Sequence, residues 1–283
     1  MGTGIGIDPG KPINGLIPGG ARPLPASIEV KDWATGLEYQ AWSSHKPSRW
    51  YSATCRITGV DQSSNEKTLD VTSETPTFFP FDVYSLRGCE TADLHDAEYK
   101  TMAELSLISG LSYEFAKEIT LGDFSGSPSF KSVAIPISLS ATSDYPAAIR
   151  QLKKARVKAG HVGVSVYHAP VWLLPEFASL NLVEPRLDGL YVPGSNDRWS
   201  FDYYEGFTPD LDTAGDANGG TASGAGTSYV TITGPVEYGL GEIKATVAEG
   251  IKMKQTNHVA VEVRQAGIFR FDTTGVYTVL ITE

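Results

Sequence analysis

The chain is short of the residues that usually mark chemistry or covalent bracing. Cys55 and Cys89 are its only cysteines, too few for a disulfide framework and without the paired spacing of a zinc site; they read as buried or inert thiols, with a disulfide between them open only outside the cell. No stretch approaches the roughly 20 apolar residues of a membrane-spanning helix, and the start "MGTGIGIDPGKPING" lacks the basic region and apolar run of a secretory signal. The expectation is a chain made in a cytoplasm with no membrane partner. Positive charge is scarce too: 23 basic residues stand against 33 acidic ones, a net charge of −10. That balance argues against a protein that grips phosphate by global charge.

Catalytic punctuation is equally thin. Gly10-Lys11 suggests a phosphate loop, but Pro12 follows, Ile5 stands where a glycine belongs, and no strand precedes it. "GTGIGID" fails as a dinucleotide fingerprint because Pro9 occupies the last glycine position. "DLDTAGDANGGT" has Asp210, Asp212 and Gly215 in the places of a calcium loop, yet Ala214 replaces a ligand and Thr221 replaces the bidentate carboxylate, so a solvated loop is expected. Of the five histidines, His45, His95, His161, His168 and His258, none forms a helical pair around a glutamate, and no serine sits in a Gly-x-Ser-x-Gly elbow. His168, at the end of an apolar strand, is the best general-base candidate, with a hydrogen-bonded core histidine as the plainer reading. Carboxylates are plentiful, but no two are singled out as a glycosidase-like pair. No enzyme, cofactor or metal site is expected.

What the chain does have is a sequence of distinct pieces. Residues 1–27 hold seven glycines and five prolines, a density that prevents local ladder or helix and suggests an arm that orders on another surface. From Ile28 to Phe81 short alternating pieces separated by turn residues suggest a projecting hairpin, whose Trp33, Trp42, Trp50 and Tyr51 need a partner surface. "AEYKTMAELSLISGLSYEFAKEITLGD" is the one long helical pattern, with Thr91 or Asp93 as cap, Met102, Leu105, Ile108, Leu111, Phe115 and Ile119 as the inward stripe, and Gly122 as the stop. "FKSVAIPISLS" reads as an edge strand because of Pro136. "SDYPAAIRQLKKARVKAG" reads as a helix capped by Ser143 or Asp144, with Ile149, Leu152 and Ala155 inward and Gly160 as stop. A buried strand "VGVSVYHA", a second helix "PVWLLPEFASLNL" and strands "LDGLYVP" and "RWSFDYY" complete an α/β lobe over 138–205. A glycine-rich loop comes next, then "YVTITGPVEYGL", "IKATVAEGIKMK", "HVAVEVRQAGIFRF" and "VYTVLIT", expected to form one antiparallel series.

The order arm, hairpin, long helix, strands, inserted α/β lobe and returning strands resembles the major capsid proteins of tailed double-stranded DNA bacteriophages, whose fold is shared with encapsulins and herpesvirus shell floors. "FPFDVYSLRGCETADLHDAEY", "SGLSYEFAKEITLGD", "AIRQLKKARVKAGHVGVSVYHAPVWL", "YVTITGPVEYGLGEIK" and "NHVAVEVRQAGIFRFDTTGVYTVLI" are similar to the corresponding stretches in capsid proteins of phages of Gram-positive hosts. The resemblance implies an α+β fold with an N-terminal arm (1–27), an extended loop or E-loop (28–80), a peripheral domain (81–137 and 235–270) built on a spine helix at about 93–121, and an axial domain (138–234 and 271–283).

It further implies a non-enzymatic subunit that assembles with itself into pentamers and hexamers of an icosahedral shell. The shell encloses double-stranded DNA without specific binding, with a portal and scaffolding or decoration proteins as further partners, in the virion and, during assembly, the host cytoplasm. The alternatives are an encapsulin-like compartment and an enzyme with an unrecognised site. Interface candidates are Trp33, Trp42, Trp50 and Tyr51 of the E-loop and Lys252, Lys254 and Asn257 of the tip "EGIKMKQTNH". Lys252 and Lys254, with Lys244 nearby, are expected to face carboxylates such as Glu66 or Asp70 of a neighbour. Some family members join a loop lysine to an asparagine with help from a glutamate; Lys46 or Lys67, Asn257 and Glu262 occupy the corresponding regions, but the spacing does not match, so non-covalent assembly is expected.

Overall fold

The computed structural model describes residues 24, 26–29, 39–40, 77–89, 96–137, 145–204, 207–208, 221–222, 227–247 and 259–282. In chain order its elements are β1 (Ile28–Glu29), β2 (Tyr39–Gln40), β3 (Thr77–Phe78), β4 (Phe81–Cys89), α1 (Asp96–Leu121), α2 (Phe130–Val133), β5 (Ile135–Ile137), α3 (Tyr145–Lys158) and β6 (Val166–Pro170). A 3-10 turn (Val171–Leu173) then leads into α4 (Leu174–Ser179), followed by β7 (Glu184–Arg186), β8 (Gly189–Tyr191), β9 (Arg198–Asp202), β10 (Phe207–Thr208), β11 (Thr221–Ala222), β12 (Thr227–Thr233), β13 (Val236–Leu240), β14 (Lys244–Val247), β15 (Val259–Phe271) and β16 (Tyr277–Thr282).

The smaller of the two main sheets is organised around β15. Alternation along it buries Val261, Val263, Gln265, Phe269 and Phe271 on one face and leaves Glu262, Arg264 and Arg270 on the other, the period-2 pattern of a strand with one covered face. β4 runs antiparallel along one edge, from Phe81↔Gly267 to Cys89↔Val259. Along the other edge β13 and β14 act as one interrupted lane, pairing Val236↔Phe271 to Leu240↔Gly267 and then Lys244↔Arg264 to Val247↔Val261. β1 adds in parallel to β13.

Helix α1 crosses the covered face. Ala103, Leu107, Leu111, Phe115 and Ile119 are its buried large or small apolar residues at a spacing of four, and Phe115 lies so close to β15 that a Cβ at Gly267 would overlap its ring. This corrects the expected stripe in its first half: Met102 and Leu105 are exposed. The reason is steric. Small Ala103 lets the helix approach the sheet, while a reading by side-chain size favours its larger neighbours. The helix starts at Asp96, and the candidate caps Thr91 and Asp93 lie outside the described residues. It ends as expected at Gly122, whose φ of 69° is left-handed and whose N–H donates to Glu118 O at 2.8 Å.

A second correction concerns "FKSVAIPISLS", whose first residues form the helical turn α2 and not strand. Ser129 and Ser132 close a capping box around it, with Ser129 N–H donating to Ser132 Oγ at 2.9 Å. The strand that remains, β5, pairs in parallel with β16 at the edge of the larger sheet, where Pro136 is tolerated.

That larger sheet has the order β5-β16-β12-β6-β9-β8-β7. β6 is buried along its whole length, and α3 packs Tyr145, Ala148, Ile149 and Leu152 into a core with Tyr167, Phe177, Trp199 and Phe201. Trp199 stacks on Phe201 at 5.1 Å and meets Phe177 at 5.2 Å. Ala155, expected inward, is only half-buried, and Arg156 is buried beside it.

A third correction comes from the pairing. The closing strands are not one antiparallel series: β12 and β16 belong to the larger sheet and β13, β14 and β15 to the smaller. Gly234-Pro235 breaks β12 from β13, and a turn with Gly275 at φ 70° breaks β15 from β16, so the chain passes between sheets twice, side by side. Arg156 plugs this double crossing. Its Nη1 donates to Gly275 O at 2.8 Å, its guanidinium lies against Gly234, and burial pulls its pKa down against the raising effect of Asp272.

Candidate functional site

The strongest chemical candidate, His168, is fully enclosed where the two sheets meet. Its Nε2 lies 2.9 Å from Thr233 Oγ1 and its Nδ1 3.1 Å from Tyr204 Oη, and Tyr204 Oη lies 2.5 Å from Ser200 Oγ. Thr233 donates to Gly234 O at 2.7 Å, so its oxygen accepts from Nε2–H. That assignment leaves Nδ1 to accept from Tyr204. Burial drops the His168 pKa to about 3 and pushes that of Tyr204 well above its ordinary value. Every group in this chain of bonds has its partner, and Phe130 covers the imidazole at 4.9 Å. The arrangement fixes the junction; it presents no face to a substrate.

Two clefts flank the start of β4. One, of about 280 Å³, is lined by Pro80, Phe81, Asp82, Glu242, Lys244, Arg264 and Ala266. The other, of about 520 Å³, is lined by residues that include Val83, Tyr84, Glu114 and Phe124. Neither lining holds a serine, cysteine or histidine nucleophile beside a base. Among the described residues no group of three histidine, cysteine, aspartate or glutamate side chains is placed to hold a metal ion, and no helix is long and apolar enough to cross a membrane.

The outstanding surface feature is apolar exposure. Tyr84 and Leu86 stand on the open face of β4, Met102 and Leu105 on α1, Val162 and Val164 before β6, Trp172 on the 3-10 turn, and Leu187 at the tip of the β7–β8 hairpin. Around that tip Arg186 lies over the Tyr191 ring at 4.3 Å and pairs with Glu184 at 2.9 Å, while Arg198 pairs with Asp188 at 3.0 Å. The hydrogen bond from Arg186 lowers the Glu184 pKa. Exposed apolar residues grouped on ordered strands and helices, unlike single scattered ones, mark candidate contact surfaces.

No family model and no curated protein matches the sequence. Solved structures do. A chain of Gordonia phage Cozz superposes with a TM-score of 0.52 at 12% identity, covering 91% of this chain and 85% of that one. A chain of Mycobacterium phage Adephagia gives 0.52 at 13% identity over 91% and 88%, and one from the capsid of a native GTA particle gives 0.50 at 12% over 91% and 89%. The chain has the phage major capsid fold. Two of these matches are chains of phages of Gordonia and Mycobacterium.

Within the capsid fold, the expected interface residues Trp33, Trp42, Trp50, Tyr51, Lys252, Lys254 and Asn257 all lie outside the described residues, as do Glu66 and Asp70, the loop lysines Lys46 and Lys67, Cys55, and the calcium-like loop from Asp210 to Gly215. Of the neighbouring candidates, Lys244 opens β14 directly opposite Arg264, and Glu262 faces Leu86 on one side and Thr246 on the other. Sequence reasoning did not single out the exposed rings Tyr113, Tyr203 and Trp172, of which Tyr113 meets Tyr203 at 4.5 Å and Tyr203 meets Trp172 at 6.0 Å. Their only signal was position: Tyr203 and Tyr204 are adjacent at the end of a strand, so one must point out when the other points in.

Proposed function

We propose that the chain is the major subunit of an icosahedral phage shell, assembling with itself into pentamers and hexamers around double-stranded DNA that it encloses without binding specifically. The observation that carries this reading is the superposition on phage capsid chains over nine-tenths of the sequence with no large part of either chain left over. In this reading the β15 sheet and α1 form the peripheral domain and its spine helix, the larger sheet is the axial domain, and residues 1–27 and 28–80 are the arm and E-loop that tie neighbours together. Portal and scaffolding or decoration proteins complete the assembly, in the virion and before that in the host cytoplasm. The wiring of His168 into the junction suits a structural role, since a rigid subunit places its contacts reproducibly, and many weak contacts add up in a closed shell.

Electron microscopy of the purified chain, alone and with its phage's other structural proteins, tests the proposal. Icosahedral particles, empty or DNA-filled, are the expected result. A cage holding a cargo enzyme points to an encapsulin-like compartment, and a small oligomer under all conditions removes the shell reading. Deleting residues 2–20 is expected to leave a soluble chain that assembles poorly; particles of normal yield and heat stability remove the role given to the arm.

A further inference from the structure

Helix α3 is the most basic element of an acidic chain. Arg150, Lys153, Lys154, Arg156 and Lys158 crowd its second half and it holds no carboxylate, against a net charge of −10 for the whole sequence. Two of the five serve the fold. Lys153 pairs with Asp197 at 2.8 Å and donates to Ser165 Oγ at 3.0 Å, and Arg156 is buried at the double crossing. The other three do not. Arg150, Lys154 and Lys158 are exposed, and none of them forms an ion pair among the described residues, where Lys100, Lys131, Arg186, Arg198 and Arg270 each have a carboxylate.

A spacing of four puts the three free cations on one face of α3, within about 80° of one another and over about 12 Å of its axis. Like charges at that spacing repel. The helix dipole favours a cation only in the last turn, which accounts for Lys158 and not for Arg150 or Lys154. A row that the isolated helix opposes suits a partner that brings a row of negative charge.

We propose that this face of α3 lines the interior of the shell and contacts the phosphate backbone of the enclosed double-stranded DNA without reading its sequence. The inference rests on the shell reading, which supplies the DNA and gives the subunit an inner surface. Two observations select a nucleic acid over another protein chain. The row has Gln151 beside it and no aromatic anchor, whereas protein interfaces are depleted in lysine and enriched in aromatic residues. Its length also matches a polyanion of fixed spacing: one DNA strand presents a phosphate about every 3.4 Å along the axis, so about three or four face the row together. Contacts to phosphate carry no base information. With three cations on an otherwise acidic chain the attraction is weak in each subunit, and it acts through the many copies of a closed shell.

The test compares DNA-filled with empty particles of the unsubstituted chain by lysine acylation and mass spectrometry. Relative to the other accessible lysines of the same particle, Lys154 and Lys158 are expected to react more slowly in filled particles by roughly threefold or more. Ultraviolet irradiation of filled particles is expected to attach nucleotides to peptides covering residues 145–161. With Arg150→Gln, Lys154→Gln and Lys158→Gln combined, those adducts are expected to fall by roughly fivefold or more while the yield of empty particles stays the same. Equal reaction in the two kinds of particle overturns the contact, whether fast, which turns the face away from DNA, or slow, which puts another copy over it. Unchanged adducts, or a lower yield of empty particles from the triple variant, overturn it as well. Particles that fail these tests remove the contact alone, whereas an unsubstituted chain that forms no particles removes the shell reading and the contact with it.

Discussion

A buried neutral imidazole makes stability depend on acid. His168 has its pKa lowered to about 3 in the folded chain against 6.5 when unfolded, so its stabilising contribution is complete above about pH 6.5 and is lost as pH falls toward 3, where the unfolded chain binds the proton first. The loss across that window is on the order of 4 kcal/mol, read as a falling urea midpoint between pH 7 and pH 4. His168→Gln should flatten that slope while costing about 1–3 kcal/mol at pH 7, because the flexible amide does not reproduce the imidazole's span between Tyr204 and Thr233; an unchanged slope contradicts the assignment. A tighter steric test sits at Gly267, where any Cβ overlaps the Phe115 ring. Gly267→Ala is expected to destabilise by about 1–3 kcal/mol, with Phe115→Leu recovering part of that in the double variant. Two equal and additive losses count against the contact. The sequence indicated that His168 was a core residue, from the apolar strand leading to it. It did not indicate the partners, since Tyr204 and Thr233 are 36 and 65 positions away.

At the scale of elements, local rules were legible where local physics decides. Gly122 ends α1 and Gly160 comes after α3 with left-handed φ values of 69° and 94°, because only glycine adopts that conformation without cost. The segment beyond α1 was not legible. Glu118 is buried and turns back to accept from Phe124 N–H at 3.0 Å, Ser125 N–H at 2.8 Å and Ser125 Oγ at 2.6 Å, while Ser127 Oγ accepts from Phe79 N–H at 2.9 Å. These bonds shape the link from helix to edge strand and explain why a pattern read as strand began with the turn α2. Glu118→Gln keeps one acceptor and presents donors to donors, so a loss of about 1–3 kcal/mol is expected, together with faster hydrogen exchange at Phe124 and Ser125. Protection equal to wild type means the loop is held by something else. The inward stripe of α1 was half right for a similar reason: periodicity gave the helix, but which of two adjacent faces meets the sheet depends on how closely small Ala103 lets them approach.

For the molecule as a whole, the sequence order of pieces revealed the fold, while the division of the closing strands between sheets depends on two breaks that look like ordinary turns. Those breaks carry a prediction. Tyr204 contributes to the core beneath the smaller sheet and bonds into the larger sheet through Ser200 and His168, and Arg156 spans both crossings. Unfolding of the single chain is therefore expected as one calorimetric transition, and two separate transitions contradict the shared junction. The crossings also set how the protein bears load. Val236 pairs with Phe271 at one end of the crossings and Ile232 with Tyr277 at the other, so tension drawing the sheets apart is carried by two adjacent straps. Those straps pull β13 and β15 lengthwise in the same direction, which loads the nine register pairs between β15 and β4 in shear. Bonds sheared together share the force and yield together, whereas bonds peeled from an end fail one at a time. Tension that draws the two sheets apart thus meets this hydrogen-bond ladder in the stronger of its two mechanical directions.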